Sequence, residues 1–213
     1  MPVIHYAGQV GASITVLYQQ ASRMSLPADA PLHHKVAWAL LRLSVDHATS
    51  IVSNFHVHDT SLAGSPFAML RPLNDVFKRG AWFALCATEA DAEAFMSDAE
   101  KLPSPKEMVD ALEAQKPFRD SPIFTLQHNN VRNRFHGFTH GGREIVSAYL
   151  TEHGVGAGFR EDDVYEVLDH AETMAMLAVQ LLGMVAGERD PDTAMSVIDF
   201  VIGMQRTKDR VAR

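Results

Sequence analysis

The sequence predicts an all-α protein: a single bundle of about seven or eight helices over residues 1–213. Three observations predict it. Apolar residues recur at spacings of three and four along most of the chain, and alternating strand patterns are almost absent. Turn signals separate the periodic stretches: Pro27 and Pro31, the prolines at 103–122, and Gly141-Gly142.

Taken in order, Val10, Ile14, Leu17 and Ala21 share one face of a helix from about Gln9 to Met24. Leu26 to Pro31, with two prolines, breaks it. A long second helix follows from about Leu32 to Phe55, with Val36, Leu40, Leu43, His47 or Ala48, Ile51 and Phe55 as its apolar set. His56 to Gly64 reads as a loop. Ser65 and Pro66 suit the N-cap and first turn of a third helix to about Thr88, which Pro72 either kinks or begins. A short acidic helix runs from Thr88 to about Leu102. Prolines 103, 105, 117 and 122 then punctuate the chain around a short helix from Lys106 to Gln115, so residues at about 103–122 are expected to form an insertion or lid. Helices are further expected over Ile123–His140, ended by Gly141-Gly142, and from Glu144 to about Glu152. A flexible glycine loop over 154–158 precedes a long helix from about Asp162, whose acidic start suits the positive end of the helix dipole. Asp190-Pro191 opens the last, to about Arg206.

Composition narrows the function classes. The formal charge is −7, with 19 Lys plus Arg against 26 Asp plus Glu, so broad contact with nucleic-acid phosphates would need a local basic patch or one assembled by dimerisation. The single cysteine, Cys86, excludes an intramolecular disulfide and agrees with a reducing, cytoplasmic compartment. The N-terminus lacks a basic-then-apolar secretory pattern. The longest apolar run, Met174 to Ala186, is interrupted by Gln180 and is too short for a bilayer, so no membrane partner is expected. No cofactor fingerprint occurs: glycines 154, 156 and 158 follow no strand and precede three acids, which would repel a phosphate.

The densest chemistry lies between Arg132 and Gly142. Val131, Phe135 and Phe138 make one helical face, and beside it His128, Arg132, His136 and His140 recur every fourth residue. In a phosphodiester-cleaving site a histidine moves the proton while an arginine stabilises charge on phosphorus. His136 and His140 at i, i+4 also have metal-ligand spacing, but no neighbouring Glu or Cys completes a zinc pattern, and no metal is assigned. A half-solvated polar face is the plain alternative. Gly137, costly inside a helix by about 1 kcal/mol, points to a special backbone need.

Arg71, Asp75 and Arg79 form a second constellation, also spaced by four, with Trp82 close by. Such a set is either a surface pair worth about 0.3–0.5 kcal/mol or, in a cleft, a phosphate site oriented by Asp75. His56-Val57-His58-Asp59 has chelating residues in a loop that is more simply polar. Cys86 and the Met174–Met184 run read as core, or for the latter as subunit interface.

Leu70 to Asp75 and Arg79 to Trp82, taken with Phe135 to Gly142, resemble an uncharacterised bacterial all-helical family of unknown function, itself distantly similar to the HEPN superfamily. The resemblance implies a helical bundle, often dimeric, and for many HEPN members a metal-independent ribonuclease in toxin–antitoxin or phage-defence systems. Its site is an arginine, four to six intervening residues and a histidine, duplicated across the dimer. Arg134 and His140 match with five residues between them. Arg132 and His136 would then support them, RNA would be the substrate, and an antitoxin or defence protein a partner. Arg134 and His140 fall on different faces of a continuous helix, so this reading requires the helix to end near Gly137. The alternative, since many relatives are non-catalytic, is a module that binds a nucleotide or a partner protein through Arg71 and Arg79.

Overall fold

The computed structural model describes residues 1–98, 102–115, 118–119, 124–125, 136–139, 142–152 and 154–187. It is an all-α bundle with one two-stranded ribbon among those residues.

Helix α1 spans Val3–Arg23 and buries Val3, Ala7, Val10, Ile14, Leu17 and Ala21. It begins earlier than periodicity from Gln9 suggests because the Pro2 carbonyl accepts from the His5 and Tyr6 amides. Helix α2, Leu32–His58, packs against α1, α3 (Gly64–Leu85), α4 (Glu89–Met96) and α8 (Glu161–Gly187). Because neighbours surround it, α2 buries a broad arc that includes Leu41, Ser44 and Val45, while Leu43, expected in the stripe, faces solvent. His56 and His58 belong to its last turn rather than to a loop. The Asp59 amide donates to the Phe55 carbonyl, and Asp59 at φ 51° ends the helix in the left-handed region.

Helix α3 runs unbroken through Pro72, which is exposed, so the missing N–H falls on the solvent side. Its crossing with α2 is close at Gly80, where a β-carbon would lie 2.9 Å from Leu41 Cγ and 3.1 Å from the Leu41 backbone nitrogen. Helix α4 starts with a capping box between Thr88 and Asp91. It ends well before Leu102, since Asp98 at φ 54° turns the chain. The Glu89 carboxylate reaches across to α2, accepting from the Leu32 amide at 2.9 and 2.8 Å. Pro31, the α2 N-cap, has no side-chain acceptor of its own, and Glu89 supplies it.

Helix α5, Pro105–Glu113, has its own capping box between Ser104 and Glu107 and buries Met108, Val109 and Leu112, packing on α3. Phe124 stacks on Phe77 at 5.9 Å, and Thr125 donates from its amide and hydroxyl to Glu113 at 2.7 and 2.6 Å. Phe124 thereby rests on the core, and Thr125 is held to the end of α5.

Of the helix expected over 123–140, the later described part is one turn, α6 (His136–Thr139), anchored by Phe138 against Phe67 at 4.7 Å. Helix α7, Arg143–Tyr149, then gives way to a ribbon of β1 (Leu150–Thr151) and β2 (Gly154–Val155), paired antiparallel with Leu150 opposite Val155. This replaces both the helix end at Glu152 and the flexible glycine loop. Gly154 at φ 125° supplies the turn, a backbone state open to glycine, and two residues per strand are too few to show alternation. Helix α8 buries residues on much of its circumference, Met174 and Met176 among them, so the methionine run is core. No described helix is long and apolar enough to cross a membrane. The helix expected at 190–206 lies outside the described residues.

Candidate functional site

Arg132, Arg134 and His140 lie outside the described residues, as does His128. The backbone of His136 is described, at the start of α6. What the structure gives of this segment is its frame. Phe138 clusters with Phe67 at 4.7 Å and Phe159 at 6.3 Å, which stack on each other at 5.0 Å, and Phe159 in turn meets Tyr149 edge-on at 5.5 Å. The Gly142 amide donates to the Gly137 carbonyl at 2.7 Å, folding the chain back directly after α6. Gly137 lies within α6 and has no positive φ, so the special backbone need read from it is not seen; the Glu144 carboxylate occupies the space its β-carbon would take.

The second constellation is fully described and opens on a cavity of about 760 Å³. One wall is α3. Arg71, Asp75, Lys78 and Arg79 line it, being spaced by three and four and so stacked on one helical face. Asp75 sits between two cations: its Oδ2 is 3.7 Å from Arg71 Nε and its Oδ1 is 3.3 Å from Lys78 Nζ. The Lys78 side chain is only 11% exposed, against 40% for Arg71 and 38% for Asp75, so the ammonium lies deep and the arginine toward the mouth. Arg79 is exposed and pairs with no carboxylate among the described residues. The facing wall comes from the end of α4 and the start of α5: Phe95, Asp98, Leu102, Pro103, Pro105 and Met108, with Ser104 at the α5 N-cap.

Sequence reasoning placed Arg71, Asp75 and Arg79 together but missed Lys78 and the entire facing wall. Lys78 was legible as the i+3 neighbour of Asp75. The facing wall was not, because it requires knowing that α5 folds back on α3. Trp82, adjacent in sequence, turns into the core and packs on Phe83 at 5.1 Å. Among the described residues no group of three His, Cys, Asp or Glu side chains could hold a metal ion. Cys86 is half-buried and accepts from Gln115 Nε2 at 3.6 Å, and burial pushes its thiol pKa up, away from nucleophilic use.

A second, smaller cavity of about 280 Å³ separates α1 from α2 beside Gly8, Gly11 and His56. No Asp, Glu, Lys or Arg is among its described lining residues, and the His56 imidazole contacts the Ile4 carbonyl at 3.4 Å.

An all-α bundle with a mixed-charge cleft of small-molecule size among its described residues is the class of protein that fold and site define. Residues 41–200 match the profile of DUF6988, a family of unknown function, and the chain belongs to that family. No curated protein and no solved structure matches it. The matched span contains all of the cleft and the whole of the 132–142 segment.

Proposed function

We propose that the chain is a non-catalytic helical binding module that holds a small phosphate-bearing ligand of the nucleotide class in the cleft between α3 and α5. The observation that carries this reading is the placement of Arg71, Lys78 and Arg79 on one side of a cavity whose other side is largely apolar. Cations bind the phosphate, and Asp75 holds two of them in position. The apolar wall accepts a flat, uncharged body. The volume, about 760 Å³, falls within the roughly 300–1,000 Å³ usual for small-molecule sites. Residues 102–108, at the start of the stretch read as an insertion or lid, supply that wall.

Calorimetric titration tests it. Nucleotides should bind with an affinity that falls steeply with salt, and Arg79→Ala and Arg71→Ala should each weaken binding by about tenfold or more, the loss typical of a hydrogen bond to a charged group. Unchanged affinity in both variants would remove the cleft from consideration.

A second reading is supported by the frame around α6. The Gly142–Gly137 hydrogen bond and the packing of Phe138 on Phe67 anchor described residues on either side of His140, which supports a HEPN-like metal-independent ribonuclease as the alternative. In it, His140 transfers the proton, Arg134 stabilises the phosphorus, and His136 and Arg132 assist, within a cytoplasmic homodimer acting as a toxin or phage-defence effector. Purified protein would then degrade RNA in EDTA, and His140→Ala would abolish it; activity that survives that substitution rules this assignment out.

A further inference from the structure

The two walls of the cleft carry opposite unspent charges. Arg79 lines it from α3 and Asp98 from the end of α4, and neither is in an ion pair among the described residues. Asp98 is turned out of α4 at φ 54°, where its amide still donates to the Phe95 carbonyl at 3.3 Å. A ligand that satisfies both groups presents an anion at one end and hydrogen-bond donors at the other.

Charge limits the anion. Among the described residues, three cations and two carboxylates line the cleft, a formal surplus of one positive charge. A monophosphate, with about −1.5 to −2 charges at neutral pH, comes close to balancing it. A triphosphate would overshoot, and Asp75 stands between Arg71 and Lys78, where a run of phosphates along α3 would have to lie. The donor end is limited by Asp98: a carboxylate accepts from two adjacent hydroxyls at once, as a ribose 2′,3′-diol offers them. Phe95 and Met108 lie on the same wall as Asp98 and give a base an apolar, partly aromatic surface to rest on.

On the strength of the reading above, we propose that the cleft is a site for a free ribonucleoside monophosphate, with its phosphate at Arg79 and Arg71 and its ribose diol donating to Asp98. A terminal 5′-phosphate and a free 2′,3′-diol occur on the same nucleotide only in a monomer, because a 5′-phosphorylated RNA has its first 3′-oxygen esterified and the diol at its far end belongs to a nucleotide whose phosphate is a diester.

The test is calorimetry of the full chain with the four ribonucleoside monophosphates, their 2′-deoxy counterparts, ATP and a 5′-phosphorylated RNA dinucleotide, against wild type, Asp98→Asn and Arg79→Ala, each checked for an unchanged melting temperature. At least one ribonucleoside monophosphate should bind more tightly than its deoxy form and than ATP by about tenfold or more. Asp98→Asn should erase the ribose preference and keep the phosphate dependence, and the dinucleotide should compete poorly. Equal binding of ribo and deoxy forms by the wild type, a preference that persists in Asp98→Asn, tighter binding of ATP, or competition by the dinucleotide overturns the ligand assignment while the cleft remains the site. Absence of binding by every nucleotide, or indifference to Arg79→Ala, overturns the cleft reading itself.

Discussion

The carboxylate of Glu144, at the start of α7, fills the volume that a side chain on Gly137 would need. The two residues are seven apart, brought together because the Gly142 amide bonds back to the Gly137 carbonyl. A β-carbon on Gly142 would in turn lie 3.0 Å from the Gly137 backbone. The difference between the two glycines is what each would strike: the end of an exposed, flexible side chain in one case, backbone in the other.

Gly142→Ala should therefore cost more stability than Gly137→Ala. We expect about 1–3 kcal/mol for the former, in the range for overpacking. The Gly137→Ala cost should be largely recovered in Gly137→Ala/Glu144→Ala, since the double variant removes the obstacle. Urea unfolding of the four proteins in the cycle measures this, and additive costs would contradict it.

Gly80→Ala tests the close α2–α3 crossing. The added methyl meets both the side chain and the backbone nitrogen of Leu41, so α3 must move outward. A loss of about 1–3 kcal/mol is expected by denaturant titration. Because α3 carries the cationic wall, nucleotide affinity should fall as well.

Glu89→Ala should weaken the start of α2, because the acceptor for the Leu32 amide is lost. Hydrogen bonding by the Leu32 amide, followed by His33 at 3.0 Å, holds this carboxyl below its ordinary pKa. A depressed carboxyl pKa gives stability that is present above the unfolded value and lost as pH falls through the folded one. The difference in stability between wild type and Glu89→Ala should thus shrink toward pH 3.

His170 adds an acid sensitivity of the same direction at higher pH. Asn74 Nδ2 donates to the Leu70 carbonyl at 2.7 Å and meets His170 Nε2 at 2.8 Å, so that ring nitrogen is the acceptor and the imidazole is neutral. Burial lowers its pKa to about 4 from 6.5. Between those values the unfolded chain binds the extra proton. Stability is unaffected above pH 6.5 and falls as pH drops from 6.5 to 4, by up to about 3 kcal/mol. Denaturant titrations at pH 7.5 and 4.5 should show the drop, reduced in His170→Gln.

How far the sequence could be read follows from what each signal encodes. Periodicity located α1 to α5 and α8 because helix amphipathicity is local. It misjudged the face of α2, since a helix with neighbours on several sides has no single apolar stripe: Leu41 and Val45 are buried and Leu43 is not. It ran α4 on to Leu102 because Asp98 in a left-handed conformation leaves no mark on hydrophobic spacing. The cationic wall of the cleft was legible because it lies on one helix, as Arg71, Asp75 and Arg79. Phe95, Asp98 and Met108 were not, because only the fold-back of α5 onto α3 brings them there. Gly137 was singled out for a special backbone, but it is helical without a positive φ, and what crowds it is the Glu144 side chain seven residues away.

The matched family span begins at residue 41, inside α2, whereas α1 lies wholly before it. Yet α1 packs on both α2 and α8, and Val10, Ile14 and Leu17 belong to the same apolar core as Ile51 and Val167. The stretch that defines kinship is thus smaller than the cooperative unit that melts. A polypeptide trimmed to residues 41–200 would lose the helix that covers one flank of α2 and of α8, and should melt at a lower temperature than the full chain.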